Sequence, residues 1–241
     1  MKFMGATWRR SGISKAAMRS YYNDKHSVTV AEEHGEIYRY TQNVVEDSVF
    51  YCKDPHAPLN QPDGLTEFDT VDQDALARSF ATEHMKTKAW PDTFVYADLS
   101  QVLSVAGEEL SVISLSGSGQ GLTKVMSFLI VPAEVARYVS SLADDLAATL
   151  VGQDLPGLGV RVCNLVTALE HPNEFLRKTF DQPGLRAVAG LTMFAETGRP
   201  WEMPGVAEAL AKKAGNAFGA EVYVFSTLVK QKVIWDEPPA A

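Results

Sequence analysis

The predicted order of strands and helices occurs twice along this chain, and this internal repeat limits the possible fold more than any other sequence feature. Each copy reads βαββαβ. Alone it would leave one face of its sheet bare, so we expect the two sheets to face each other around a shared core or cavity. In the first half, the sequence predicts strands at residues 2–7, 36–45, 64–70 and 93–105, and helices at residues 14–25 and 72–82. In the second half, it predicts strands at residues 122–131, 159–169, 185–196 and 221–235, and helices at residues 133–150 and 205–218. The pattern of residues 222–228 resembles that of residues 93–99.

A glycine-rich run at residues 116–121 separates the two copies. Such a run can cradle a phosphate, but this one lacks the lysine of a P-loop and the strand–turn–helix setting of a dinucleotide-binding fingerprint. A flexible linker is therefore the interpretation that we favour. The sequence predicts two units, residues 1–115 and residues 122–237.

Composition limits the partners that we expect for this chain. Its 241 residues carry a formal net charge of −8, which argues against nucleic acid or an anionic membrane as the main partner. Cys52 and Cys163 do not make a disulfide framework, and the N-terminus has no signal-peptide core. The apolar run near residues 125–132 is too short to span a bilayer. We therefore expect a cytoplasmic protein with reduced thiols.

The apolar stripe of the first predicted helix ends at a histidine, His26. Ser14 is suited to cap this helix, and Met18, Tyr22 and His26 follow at i, i+4 and i+8, which places them on one face. From this spacing alone, His26 is either a satisfied core residue or a proton-transfer group that faces a pocket. Both of its protonation states are accessible near neutral pH.

Other chemistries find less support in the sequence. The five histidines are scattered without metal-ligand spacing, and neither a G-x-S-x-G elbow nor a Rossmann fingerprint occurs. We accordingly expect no metal and no cofactor. The remaining possibility is acid–base catalysis in an apolar pocket. His26 would act as general base or acid, and Tyr22 or Tyr40 would hold or polarise a substrate oxygen.

We expect that pocket in the barrel interior, lined by aromatic residues that either form plain core or surround an aromatic or polycyclic ligand. Arg10 either belongs to a solvated loop face or meets an anionic substrate. Asp92 either orients His26 or caps a turn, and we favour the turn cap. The other candidate lining residues are Phe3, Tyr38, Phe94 and Tyr96, with Trp8 and Trp90 at the mouth.

Three segments resemble the EthD family of dimeric α+β-barrel proteins. The first runs from Arg10 through Gly12 and Tyr22 to His26, with Tyr22 where the family often has tryptophan. The others are residues 37–43 and 63–68, and the family commonly has an aspartate where Asp92 stands. The resemblance implies an α+β fold in which two ferredoxin-like repeats form one intramolecular barrel with antiparallel sheets. The family usually builds this barrel from two chains.

Proteins of this barrel type include polyketide cyclases, decarboxylases, dehydratases, isomerases and cofactor-free monooxygenases. The resemblance therefore implies a cofactor-independent lyase or isomerase acting on a small hydrophobic, aromatic or polycyclic, catabolic or secondary metabolite. Its rival is a non-catalytic ligand-binding or accessory protein of a degradation pathway. A haem-binding barrel, with His26 or His171 as the iron ligand, is a third alternative. Whether the fused barrel pairs further into a homodimer stays open.

Overall fold

The computed structural model describes residues 1–51, 62–113, 121–132, 160–168, 185–196, 203–219 and 221–237. Within them the chain forms one nine-stranded antiparallel sheet in the order β4-β1-β3-β2-β9-β6-β8-β7-β5. The strands are β1 (Lys2–Thr7), β2 (Arg39–Tyr51), β3 (Gly64–Asp69), β4 (Leu103–Gly107), β5 (Glu109–Ile113), β6 (Thr123–Pro132), β7 (Val160–Thr167), β8 (Leu185–Ala195) and β9 (Tyr223–Asp236).

Helical segments pack on the sheet in each half. Between β1 and β2 the chain forms α1 (Lys15–Tyr21), a π-helical turn (Tyr22–His26) and α2 (Ser27–Ala31). Between β3 and β4 it forms α3 (Gln73–Phe80), a second π-helical turn (Met85–Ala89) and α4 (Trp90–Tyr96). In the second half, α5 (Met203–Phe218) precedes β9.

The sheet curls into a nearly closed barrel. Strands β4 and β5 are separated in sequence by Glu108 alone, yet they occupy opposite edges of the sheet. The chain therefore passes directly from one edge to the other. The four strands of the first half lie in the order β4-β1-β3-β2, and β9-β6-β8-β7 repeats that order, so the expected α+β barrel of two similar sheets is confirmed. The unit boundaries at 115 and 122 stay a prediction.

Alternation along the strands divides the apolar residues between two faces. One face of the first half, including Met4 and Leu65, packs with Phe128 and Phe225 of the second half and fills the barrel interior. The opposite face packs under the helices, where residues such as Phe3, Phe68, Val30, Leu76 and Phe80 form a separate core. The barrel interior is thus built as packed core.

The prediction of a strand over residues 93–105 is wrong. Trp90–Tyr96 is helical with Pro91 in its first turn, and the strand begins only at Leu103. The β-formers between Thr93 and Tyr96 mislead because tertiary packing of Tyr96 under the helices overrides strand propensity. The proposed match of residues 93–99 to residues 222–228 fails for the same reason, since Tyr223 begins a strand.

Other element boundaries differ by less. The first helical segment continues through α2 to Ala31 instead of ending at residue 25, and β2 runs from Arg39 to Tyr51 instead of over residues 36–45. Pro132 ends β6 and does not begin a helix. The predicted helix at 133–150, most of the glycine-rich run, Cys52 and His171 lie outside the described residues.

Candidate functional site between the helices and the first-half sheet

The first helical segment holds His26 against aromatic neighbours. Ser14 caps α1 by accepting a hydrogen bond at Oγ from the Ala17 amide at 3.1 Å. The segment then widens into the π-helical turn, a form that recurs at functional sites. Because of this wider turn the rings of Tyr22 and His26 stack, with centroids 6.1 Å apart and planes at 14°.

The second helical segment brings a carboxylate to the imidazole. Asp92 lies in the first turn of α4, and its Oδ2 is 2.7 Å from Nδ1 of His26. The Tyr21 hydroxyl donates a hydrogen bond to the other carboxylate oxygen, Oδ1, at 2.5 Å. Tyr96, one turn further along α4, packs its ring 5.0 Å from that of His26. Asp92 therefore orients His26, the alternative that the sequence analysis did not favour.

These contacts determine the charge state of the carboxylate. Burial raises the pKa of Asp92, but the hydrogen bonds with His26 and Tyr21 outweigh burial, and its pKa is lowered. Conversely, donation to Asp92 raises the pKa of Tyr21 to about 12. An ionised carboxylate only accepts hydrogen bonds, so Nδ1 of a neutral His26 carries the proton and Nε2 keeps its lone pair.

His26 lines a cavity of about 80 Å³. The cavity lies between the helices and the first-half sheet, on the sheet face opposite to the barrel interior, so the expectation of a pocket inside the barrel is wrong. Its walls are mainly apolar, and on the sheet side the Phe3 ring packs against Gly5, where a Cβ atom would lie 3.1 Å from a ring carbon. The larger apolar residues of the wall are Phe3, Phe68, Phe80, Met85 and Trp90.

Four hydroxyl groups also lie along this cavity, and three of them form hydrogen bonds within the protein. Thr93 donates to the Ala89 carbonyl at 3.0 Å, and the Tyr96 hydroxyl forms a side-chain hydrogen bond with Thr93. Thr66 lies 2.5 Å from the Tyr22 hydroxyl, which itself donates to the Leu65 carbonyl at 3.0 Å, so Thr66 is the donor of that pair. The fourth hydroxyl belongs to Thr7.

Residues 10–100 match the family model of the EthD domain. Over these residues the chain is similar to an EthD domain. The match covers both helical segments that build the site, including His26 and Asp92, and confirms the resemblance seen in the sequence. No curated protein matches the chain significantly.

Two solved structures resemble the whole chain. A "putative monooxygenase" from Lactobacillus acidophilus NCFM is 12% identical, with a TM-score of 0.45, over 98% of this chain and 96% of its own. A "putative monooxygenase" from Fusobacterium nucleatum subsp. nucleatum ATCC 25586 is 8% identical, with a TM-score of 0.48, over 100% of this chain and 95% of its own. Likeness at this level supports no inference about activity.

Within residues 10–100, Tyr22 and Tyr40 do not line the cavity. Burial raises the pKa of both, so both phenols stay protonated. The Tyr40 hydroxyl accepts a hydrogen bond from Nε2 of Gln42 at 2.8 Å, and the same amide nitrogen donates to the Tyr22 carbonyl at 2.9 Å. These tyrosines brace the first helical segment on β2, and the structure does not bring their hydroxyls to the cavity.

The remaining predicted ligand contacts divide into two groups. Trp90 and Tyr96 line the cavity, as predicted for a pocket, although not in the barrel interior. Trp8 packs edge-on against Phe225 in that interior, and Phe94 is 58% exposed on α4. The other two also lie away from the cavity: Arg10 is exposed beside the Phe94 carbonyl, and Tyr38 is half-buried near Lys2 and Asp69.

Sequence reasoning missed Thr7 and Tyr21. Alternation along β1 put Phe3 among the predicted lining residues, and the same period-two rule extends to Thr7, so a signal for it was present. Tyr21 stands beside the apolar stripe of its helix, and its contact with Asp92 joins two helical segments, which spacing rules within one segment do not anticipate.

The described residues limit what else the site can hold. They contain no group of three or more His, Cys, Asp and Glu side chains arranged to hold a metal ion. A cavity of about 80 Å³ does not accommodate a haem macrocycle. None of the helices seen in this part of the chain is long and apolar enough to cross a membrane.

Proposed function

We propose that this protein is a cofactor-independent enzyme of the lyase or isomerase class, with His26 as general base and acid. The observation that carries the proposal is that His26 pairs with Asp92 at 2.7 Å while the same ring lines an apolar cavity. The carboxylate selects the tautomer with a bare Nε2 and stabilises the imidazolium that forms when Nε2 takes a proton.

The surroundings of the imidazole favour proton transfer over tight structural packing. His26 is 8% exposed, and within the described residues its hydrogen bonds involve only Nδ1. Rings of Tyr22 and Tyr96 hold the imidazole from the sides, which fixes its orientation without consuming Nε2. A base held in this way has its lone pair available to a ligand in the cavity.

The size of the cavity supports a small hydrophobic substrate. About 80 Å³ has room for a single small ring or a short chain, with any larger part of the molecule extending towards solvent. A compact aromatic or alicyclic metabolite of a catabolic or secondary pathway fits this space better than a polycyclic compound.

The test compares wild type with His26→Gln in deuterated water on a panel of small ketones and phenols, followed by NMR and mass spectrometry. We expect wild type to exchange or convert at least one compound and His26→Gln to be slower by about 10²–10⁴-fold. His34→Gln is the matched control, because His34 is half-buried against Trp235, away from the cavity. Equal rates in wild type and a folded His26→Gln would contradict the proposal.

Recovery of the ligands bound but unaltered would instead support the second function class, a ligand-binding or accessory protein. The same cavity serves either role, and the pairing of His26 with Asp92 is what favours the enzyme, because a carrier has no need of an oriented base.

A further inference from the structure

Thr7 is the polar group of the cavity that the proposed function does not yet use. It ends β1, and its side chain shares the sheet face of Phe3 and Gly5 beneath the helices. It is buried, and no described residue makes a hydrogen bond with its hydroxyl, whereas the Thr66 and Thr93 hydroxyls donate to groups of the protein.

A hydroxyl that lines a cavity and has no partner in the protein is available to whatever occupies the cavity. That partner is a ligand or water, because the cavity lining is mainly apolar and its other hydroxyls form hydrogen bonds within the protein. Thr7 offers one donor, and His26, which lines the same cavity, offers an acceptor at Nε2. The pair therefore presents complementary groups to one small molecule.

We propose that Thr7 donates a hydrogen bond to the carbonyl oxygen of the substrate, and that the substrate class is an uncharged small ketone or related carbonyl compound. The inference rests on the proposed function of His26. An anionic substrate fits poorly, because the described residues that line the cavity include neither lysine nor arginine.

This placement gives a balanced proton transfer. His26 Nε2 takes a proton from the carbon next to the carbonyl, the C–H electron pair forms a carbon–carbon double bond, and the carbonyl π pair moves onto oxygen. The resulting enolate oxygen accepts a stronger hydrogen bond from Thr7 than the carbonyl did. In a β,γ-unsaturated ketone the enolate is conjugated with the second double bond, and protonation of the γ carbon by the imidazolium completes an isomerisation. In a ketone with a leaving group on the β carbon, the enolate re-forms the carbonyl, a double bond forms between the α and β carbons, and the departing group takes the imidazolium proton, which completes an elimination.

The test measures binding of cyclohexanone and of its near-isostere methylenecyclohexane by NMR titration. Thr7→Val should weaken cyclohexanone binding about 5–10-fold, as expected for one hydrogen bond, and leave methylenecyclohexane within about twofold. Thr7→Ser should retain the preference of wild type for the ketone. Thr87→Val is the matched control, because Thr87 is exposed and its hydroxyl donates to the Glu83 carbonyl.

The inference would be overturned if Thr7→Val weakened the binding of both ligands equally or weakened neither. It would also be overturned if wild type did not bind the ketone. Deuterium exchange at the α carbon separates it from the proposed function. If Thr7→Val changes ketone binding selectively but wild type exchanges no deuterium, the Thr7 contact stands and the role of His26 fails. If His26→Gln abolishes exchange but Thr7→Val affects neither exchange nor binding, the role of His26 stands and the Thr7 contact fails.

Discussion

At the scale of single residues, one carboxylate organises the site. Tyr21 and His26 come from the same helical segment, and each forms a hydrogen bond with one carboxylate oxygen of Asp92 in α4. Both contacts favour the ionised form of Asp92, and together they outweigh the burial that opposes it. The lowered pKa of Asp92, which keeps an ionised carboxylate beside the imidazole, thus follows from two hydrogen bonds.

Tyr21→Phe removes one of these bonds while keeping the ring. We expect the pKa of Asp92 to rise and kcat near neutrality to fall by about 3–10-fold, because the carboxylate is then held less firmly against His26. A pH series of deuterium exchange checks this. Tyr38→Phe is the matched control, and a profile of Tyr21→Phe that superimposes on wild type would contradict a positioning role for Tyr21.

Asp92 should also contribute to stability in a pH-dependent way. Because its pKa is lowered in the folded state, its contribution is fully present above its unfolded pKa and is lost as the pH falls through the folded value. Asp92→Asn should therefore lower the free energy of unfolding by roughly 1–2 kcal/mol at pH 7. Urea titrations should show this difference narrowing as the pH falls below about pH 4, and a difference that stays constant throughout the acid series would contradict the assignment.

At the scale of elements, local rules predicted some segments and missed others. The strand Lys2–Thr7 was predicted with its exact bounds, and helix α3 was predicted to within a residue or two because Asp72 caps it. The two π-helical turns and α4 were not predicted. Their conformation depends on contacts between the two helical segments, and no period in the sequence encodes those contacts.

Closure of the barrel depends on a close approach at the end of β4. A Cβ atom at Gly107 would lie 1.8 Å from the Thr167 carbonyl oxygen of β7, and backbone cannot yield as a flexible side chain can. Gly107→Ala should cost about 1–3 kcal/mol of unfolding free energy. The control is Gly205→Ala in α5, where no atom lies within 4 Å and where alanine should be neutral or stabilising.

Urea unfolding of the two variants checks this prediction. Similar midpoints for Gly107→Ala and wild type would show that β4 and β7 do not approach as closely as described.

At the scale of the whole molecule, a buried ionic cluster links the two halves. Glu67 of β3 is 4% exposed, forms an ion pair with Lys124 of β6, and accepts a hydrogen bond from Asn43 at 2.8 Å. Strands β2 and β9 separate β3 from β6 in the sheet, so the pair crosses the barrel interior. Burial raises the pKa of Glu67, but Lys124 and Lys2 outweigh burial and lower it. The sequence predicted an apolar interior and gave no sign of this pairing.

Removing one partner of this buried pair should be costly. Glu67→Gln leaves Lys124 without its carboxylate, and we expect a loss of about 3–5 kcal/mol in the free energy of unfolding. Adding Lys124→Met should recover part of the loss, because the uncompensated charge is gone. Glu36→Gln, which removes the exposed partner of Arg78, should leave the unfolding midpoint near wild type. Equal effects of Glu67→Gln and Glu36→Gln would contradict the role of the cluster.

The central claim is that Asp92 holds His26 with its proton on Nδ1 and its bare Nε2 towards the cavity. The most direct test is a long-range ¹H–¹⁵N NMR spectrum of the His26 ring in the neutral state, with and without cyclohexanone. We predict the Nδ1-protonated tautomer, with ligand-dependent shifts concentrated at Nε2. A ring that carries its proton on Nε2 and leaves Nδ1 bare would contradict the account.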